Sequence, residues 1–182
     1  MTDATDKPLA KPPRKVTEAY LQRAALAYLE RYASSAENLR RVLRRKVDKR
    51  CRLRGEDPAE FQDMIDEAVA KSLRSGLIDD TRYAQARVAT LRRRGGSARA
   101  IQAKLSAKGV DRTTIAAALE DGHEDDEEQA ARAFARRRKL GPFRPGERAP
   151  YRDKDLAAMA RAGFRFDVAR SVIEGERDKD EA

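Results

Sequence analysis

This chain has 182 residues, of which 39% are charged, 5% are aromatic and none is Trp, too little bulky apolar material for one large core. Its net charge of +9 draws it towards phosphate backbones or acidic protein surfaces, and charge sign alone does not choose between them. With one cysteine it can form no internal disulfide, and one cysteine plus one histidine cannot build a typical zinc site.

High charge with low hydropathy would favour disorder throughout. Clear 3.6-residue periodicity in several segments argues instead for thin helical layers packed through Ala, Leu, Val and Ile. Residues 1–16 read as a flexible basic arm, with Pro8, Pro12 and Pro13 among Lys7, Lys11, Arg14 and Lys15. A solvated tail is the first reading of it and a phosphate-tracking arm the second. No apolar stretch follows these basic residues, and the longest apolar runs are about six residues. Some twenty are needed to span a bilayer, so a soluble, cytoplasmic protein without membrane contact is expected.

The first helical repeat spans 17–76. Thr17 is the N-cap of a helix that turns Leu21, Ala25, Leu26 and Leu29 inward. Ser34 or Ser35 caps a second helix burying Leu39 and Leu43. Seven basic residues and one acid follow between Arg44 and Arg54. Gly55 to Pro58 breaks this helix, and a third starts near Asp57 or Pro58 and buries Phe61, Ile65, Val69 and Leu73. Cys51 lies among Lys49, Arg50, Arg52 and Arg54, which would lower its pKa if it were exposed. No companion catalytic histidine is evident, so an incidental cysteine is the preferred reading.

The second repeat spans 77–122. Asp79 caps its first helix, Asp80 adds favourable charge to the first turn, and Arg92, Arg93 and Arg94 fall at the negative end of the dipole. Capping explains the Asp79-Asp80 pair without acid–base or metal chemistry. Tyr83, Val88 and Leu91 form the apolar stripe. Gly95-Gly96 is a helix–helix turn, Ser97 caps a helix burying Ile101 and Leu105, Lys108-Gly109 closes it, and Asp111 caps the next.

The third repeat, 123–175, follows an acidic linker, Asp121 to Glu128, which contains the single histidine, His123. Its first helix buries Ala130 and Phe134 and ends in Arg136, Arg137, Arg138 and Lys139. Gly141 to Pro150 is a loop with three prolines. Helices over Asp155 to Ala162 and Phe166 to Glu174 complete the repeat, and residues 176–182 form a frayed tail.

Self-similarity supports this division. Val69, Leu73 and Gly76, then Ile115, Leu119 and Gly122, then Val168, Val172 and Gly175 share one spacing, read as two inward residues and a left-handed C-cap glycine. Leu105 precedes Gly109-Val110 as Met159 precedes Gly163-Phe164. A module seen three times is better suited to a binding surface than to a catalytic pocket. No Ser-His-Asp set, phosphate-cradling glycine loop or zinc-helix motif is present, so no enzyme activity, cofactor or metal is expected. Ala100 to Leu119 has the outline of a DNA-reading helix-turn-helix. Its second helix offers only Arg112, Thr113 and Thr114 for base edges, so a repeated packing device explains it better.

The basic residues are the candidate contacts. Charge matched to helix C-termini accounts for Arg92, Arg93 and Arg94 and for Arg136 to Lys139. It accounts less well for the Arg44–Arg54 cluster, whose cations repel one another. Within it Arg45, Lys49 and Arg52 follow an i, i+4, i+7 stripe that Arg41 extends by a turn. The candidates for contacting a filament or DNA are Arg41, Arg44, Arg45, Lys46, Lys49, Arg52, Arg92, Arg93, Arg94, Arg99, Lys104, Lys108, Arg136 and Arg137.

From Thr17 to Gly175 the sequence resembles the RecX family, regulators of the bacterial RecA recombinase. The resemblance lies in Ala25-Leu26-Ala27-Tyr28-Leu29-Glu30-Arg31 followed by Ser34 or Ser35 and Leu39. It continues in Ile78-Asp79-Asp80 with Tyr83-Ala84, in Gly96 leading through Arg99 and Ile101 to Leu105 and Lys108-Gly109-Val110, and in Arg161-Ala162-Gly163-Phe164. It implies an all-α fold of three tandem three-helix repeats in a curved, elongated, solenoid-like molecule. It implies a monomer bound along the groove of the RecA–single-stranded-DNA filament, restraining filament growth, ATP hydrolysis and strand exchange, with double-stranded DNA a further possible partner. The family has no catalytic residues to carry over. Two departures stand out: Val47 follows Lys46 where the second repeat has Gly109, and Pro142 to Pro150 extends the third repeat. A general, non-sequence-specific DNA-binding protein of the nucleoid type is the alternative reading.

Overall fold

A computed structural model describes residues 14–121 and 126–176. The outer parts of the N-terminal arm and C-terminal tail, Gly122 and His123 lie outside these. The described residues form nine α-helices and no strand: α1 (Glu18–Leu29), α2 (Ala36–Arg54), α3 (Gln62–Arg74), α4 (Asp80–Arg93), α5 (Ala98–Ala107), α6 (Arg112–Glu120), α7 (Asp126–Arg138), α8 (Arg152–Arg161) and α9 (Phe166–Glu174). The fold is all-α, built from helix triplets. The chain divides into two compact units between Ile78 and Asp79.

Short polar side chains start the helices by local hydrogen bonds. Thr17, Ser35, Asp79, Ser97 and Asp111 each accept from a backbone N–H three residues on, satisfying a donor the helix leaves open. The recurrent glycine turn ends them. Val110 N donates to the Leu105 carbonyl and Phe164 N to that of Met159, both at 3.2 Å, closing the same six-residue ring in two repeats. Gly76 has the expected left-handed backbone, φ 69°, whereas Gly175 is extended, at φ −68° and ψ 173°. The third of the repeated triplets therefore ends without a left-handed cap.

In the first unit α1 and α2 both pack on α3 around Leu21, Leu39, Leu43, Val47, Phe61, Ile65 and Val69. Two residues expected inside face out: Leu26 is 44% exposed and Leu73 43%. On α3 the inward line runs Ile65, Ala68, Val69 and Ser72, and the Ser72 hydroxyl donates to the Ala68 carbonyl at 2.9 Å. Ile78, beyond the helix, fills the core next to it. α2 runs unbroken to Gly55, where φ is 69°. Cys51 lies on its inner face with 0% exposure. Burial, then the charge of Glu56, pushes its thiol pKa up, so the basic neighbours do not activate it.

In the second unit α4 packs on α6 and α7, and α8 and α7 pack on α9. One core cluster holds Ala84, Val88, Ile101, Leu105 and Ile115, and another holds Ala131, Ala135, Leu140, Met159, Phe164 and Val172. Leu119, Phe134 and Val168 are only half-buried; Ala118, Ala135 and Ala169 take the innermost places beside them. Small residues let the helices approach closely. At Gly95, with φ 75°, a Cβ would stand 2.6 Å from the Phe134 backbone nitrogen on α7. Nothing larger than glycine fits there, on conformational and steric grounds alike.

The stretch from Gly141 to Pro150 is more than an exposed loop. Gly141–Phe143 forms a buried 3-10 turn that packs on α9. Asp155, expected to begin a helix, lies inside the first turn of α8 and is 2% exposed. It accepts from the Gly141 amide at 2.8 Å and from both ends of the Arg144 guanidinium, at 2.5 and 3.2 Å. A buried carboxylate thus folds the proline-rich segment back on the core, where a bidentate partner offsets its desolvation.

Replacing Leu105 by Ala should cost about 2 to 5 kcal/mol in chemical denaturation. A loss below about half a kcal/mol would show that it is not a core residue. Cys51 should resist alkylation in the native protein at mildly alkaline pH and react on unfolding; rapid stoichiometric labelling of folded protein would contradict its burial.

Candidate functional site

The basic run forms the outer surface of α2, and carboxylates divide it. Glu37 accepts from Arg40 at 2.7 Å and Arg41 at 3.1 Å, and Asp66 on α3 accepts from Arg40 at 2.7 Å. Hydrogen bonds from Gln62 and then Arg40 hold the Asp66 carboxyl below its usual pKa range. This set ties α2 to α3. Arg44 is exposed and reaches the Gln62 side-chain oxygen at 3.2 Å, and Arg54 pairs with Glu56 at 2.8 Å.

Beyond these lie Arg45, Lys46, Lys49 and Arg52. All four are exposed, and none has a hydrogen bond or ion pair to another described residue. Arg45, Lys49 and Arg52 keep the i, i+4, i+7 spacing, a line of full charges along one helix surface. Such a line can exchange counterions for the oxygens of a polyanion without first breaking a pair. Arg41 continues it but already shares Glu37.

The second unit sorts its arginines differently. Arg92 is half-buried and bound to Glu127 of α7, which also accepts from the Ala98 amide at 3.0 Å. One carboxylate from the acidic segment thus joins the end of α4, the start of α5 and the first turn of α7. Arg92 is a joint in the fold, while Arg93 and Arg94 are exposed. Arg137 donates to the Arg94 carbonyl at 2.5 Å and lies 5.7 Å over the Phe134 ring. Arg136 lies 5.3 Å over Phe143. Arg99, Lys104 and Lys108 are exposed on or just after α5.

Two concavities bring parts of this set together. One of about 540 Å³ lies between α4 and α7, with Arg92 and Arg93 beside Ala89 and Ala133. Another of about 390 Å³ lies between α7 and α8, where Arg137, Arg138 and Arg161 surround Phe134 and Ala158. Arg161 joins it only because α7 and α8 both pack on α9, a proximity that no local spacing reveals. The helix-turn-helix outline of α5 and α6 has no reading head. The hydroxyls of Thr113 and Thr114 both donate to Asp111 at 2.5 Å, which leaves Arg112 alone to reach a base edge.

Among the described residues no helix is long and apolar enough to cross a membrane. Residues 79–119 match the family model for the second three-helix domain of RecX, and they cover α4 to α6. The chain is 47% identical over 167 residues to "Regulatory protein RecX" of Myxococcus xanthus (strain DK1622), covering 90% of this chain and 89% of that protein. It is 33% identical over 156 residues to the protein of the same name from Agrobacterium fabrum (strain C58 / ATCC 33970), covering 85% and 82% of the two. The crystal structure of RecX from Lactobacillus salivarius superposes with a TM-score of 0.64 at 21% identity, over 86% of this chain and 94% of that one, a likeness of fold. Near-full-length identity of this order, on helices that match in three dimensions, places the chain in the RecX family of regulatory proteins.

Proposed function

We propose that this protein regulates the RecA recombinase by binding the RecA–single-stranded-DNA filament, and that it restrains filament growth, ATP hydrolysis and strand exchange. It acts in the cytoplasm as a monomer and catalyses no reaction of its own. The observation that carries this reading is the exposed line of Arg45, Lys49 and Arg52, which have no carboxylate partner among the described residues. Elsewhere in the same unit arginines such as Arg40, Arg54 and Arg74 are paired. A line of cations without carboxylate partners on a repeat protein suits a long anionic partner, because small contact energies add along an extended interface. Family membership supplies the partner's identity. Arg93, Arg94, Arg99, Lys104, Lys108 and Arg136, with Arg137 and Arg138 at the α7–α8 concavity, extend the proposed contact set.

Substoichiometric protein should suppress the DNA-dependent ATPase of RecA on preassembled filaments; no inhibition there would refute the proposal. Changing Arg45, Lys49 and Arg52 together to Ala should weaken filament binding. If all three meet phosphate, the salt slope should fall by about two, at roughly 0.7 for each single-strand contact. A full slope with weakened binding to the filament alone would move the contact to acidic patches on RecA. Equal weakening on naked strand and filament would favour a general DNA-binding protein. Unchanged slope and affinity for both would show this line to be only a solvated helix face.

A further inference from the structure

A second group of uncompensated cations lies in the first unit, apart from the exposed line of α2. Arg14, Lys15, Thr17, Tyr20, Arg23 and Arg50 line a surface concavity of about 390 Å³. They come from three places in the chain. Arg14 and Lys15 enter ahead of α1, Tyr20 and Arg23 stand on its first turns, and Arg50 reaches over from the last third of α2. The entering segment is held in place: Val16 is buried in the core, and Thr17 caps α1 by accepting from the Tyr20 amide at 3.2 Å.

Arg50 organises the wall. Its guanidinium lies 3.8 Å over the centroid of the Tyr20 ring and donates to the Arg14 carbonyl at 2.6 Å. The fork is therefore fixed in direction before any ligand arrives, and little rotamer entropy remains to be lost on binding. None of the four cations has a carboxylate partner among the described residues, and Glu18 on the same helix turn does not line the concavity. Four like charges around one small space repel one another. An anion placed among them removes that repulsion and accepts hydrogen bonds from guanidinium and ammonium together.

We propose that this concavity seats a backbone phosphate of single-stranded DNA, with Arg23 and Lys15 supplying charge and Arg50 a positioned fork. Its side chains present cationic donors and two hydroxyls and no carboxylate or amide to read a base edge, and Arg50 covers one face of Tyr20. Contact is thus to the strand's backbone and independent of sequence. This deepens the proposed filament-binding reading by naming a place where the protein touches the strand itself. It is tested on naked strand, so it stands or falls apart from any effect on RecA.

The experiment is fluorescence anisotropy of labelled oligothymidylate with the full chain, titrated against salt. The variant is Lys15→Ala with Arg23→Ala. The control is Lys71→Ala with Arg74→Ala, which removes the same charge from the same unit away from the concavity. Far-UV circular dichroism should show both variants fully helical. The concavity variant should lose about tenfold in affinity at low salt and about 1.4 of the salt slope, at roughly 0.7 per single-strand contact. The control should lose markedly less. Equal loss in the two variants would overturn the proposal, as would unchanged affinity and salt slope of the concavity variant on the naked strand. Displacement of the oligonucleotide by inorganic phosphate or ATP at equal phosphate concentration would overturn the strand assignment in favour of a free-phosphate site.

Discussion

The placement of carboxylates governs this molecule. Forty Lys and Arg residues face 31 Asp and Glu, and those acids that hold arginines most firmly sit where helices meet. Asp66 holds Arg40 across α2 and α3, Glu127 holds Arg92 across α4 and α7, and Asp155 holds Arg144 across the proline-rich turn. Exposed ion pairs contribute little on their own. Arg92–Glu127 and Arg144–Asp155 are largely withdrawn from water, so losing one partner leaves a charge facing a packed surface, whereas Arg40–Asp66 is more open and ties its helices less strongly. The same pattern decides what is left over, because a cation already used at a joint cannot also serve a partner.

The core explains why such joints are needed. It is made largely of Ala, Val, Leu and Ile, and each cluster is small. Alanines at 130, 131 and 135 let α7 lie close to its neighbours, and Gly95 removes the last side chain from the path of its backbone. Close approach gains dispersion contacts for little apolar volume. It also leaves few places where a larger residue fits without moving a helix, so the fold depends on short, well-defined turns. The turn shared by Gly109 and Gly163 is one, with its ring closed by the next amide onto Leu105 or Met159.

Function follows from what the joints leave free. The proposed filament partner calls for many modest contacts made together more than for a pocket that does chemistry. Unpaired cations on α2 and around Tyr20 are ready for such contacts. Arg45, Lys49 and Arg52 sit on one helix, and engaging them breaks no ion pair among the described residues. Arg92 shows the converse, since its charge already belongs to Glu127. Cys51 lies beneath the basic run of α2, where its thiol is withheld from solvent.

The sequence by itself determined the nine helices of the described residues and many of their starts, though Pro58–Phe61 is a 3-10 turn ahead of α3 and α8 begins at Arg152, three residues before the expected Asp155. Thr17, Ser35, Asp79, Ser97 and Asp111 cap as their residue types require, because a cap is a bond to a neighbour three positions away. The glycine turns at Gly76, Gly109 and Gly163 were legible for the same reason, whereas at Gly175 an extended backbone ends the helix. The identity of the inward residues was legible only in part. Leu26 and Leu73 have the right spacing yet face out, since Ala25 and Ser72 fit a closer helix contact than leucine would. Local spacing pairs Arg41 with Glu37 and Arg54 with Glu56, but the engagement of Arg92 and Arg50 was decided by tertiary structure. Arg92 and Glu127 are 35 residues apart, and Arg50 lies 36 residues from Arg14. No periodicity relates positions so distant; only the packing of one helix against another brings a charge to its partner or leaves it facing water.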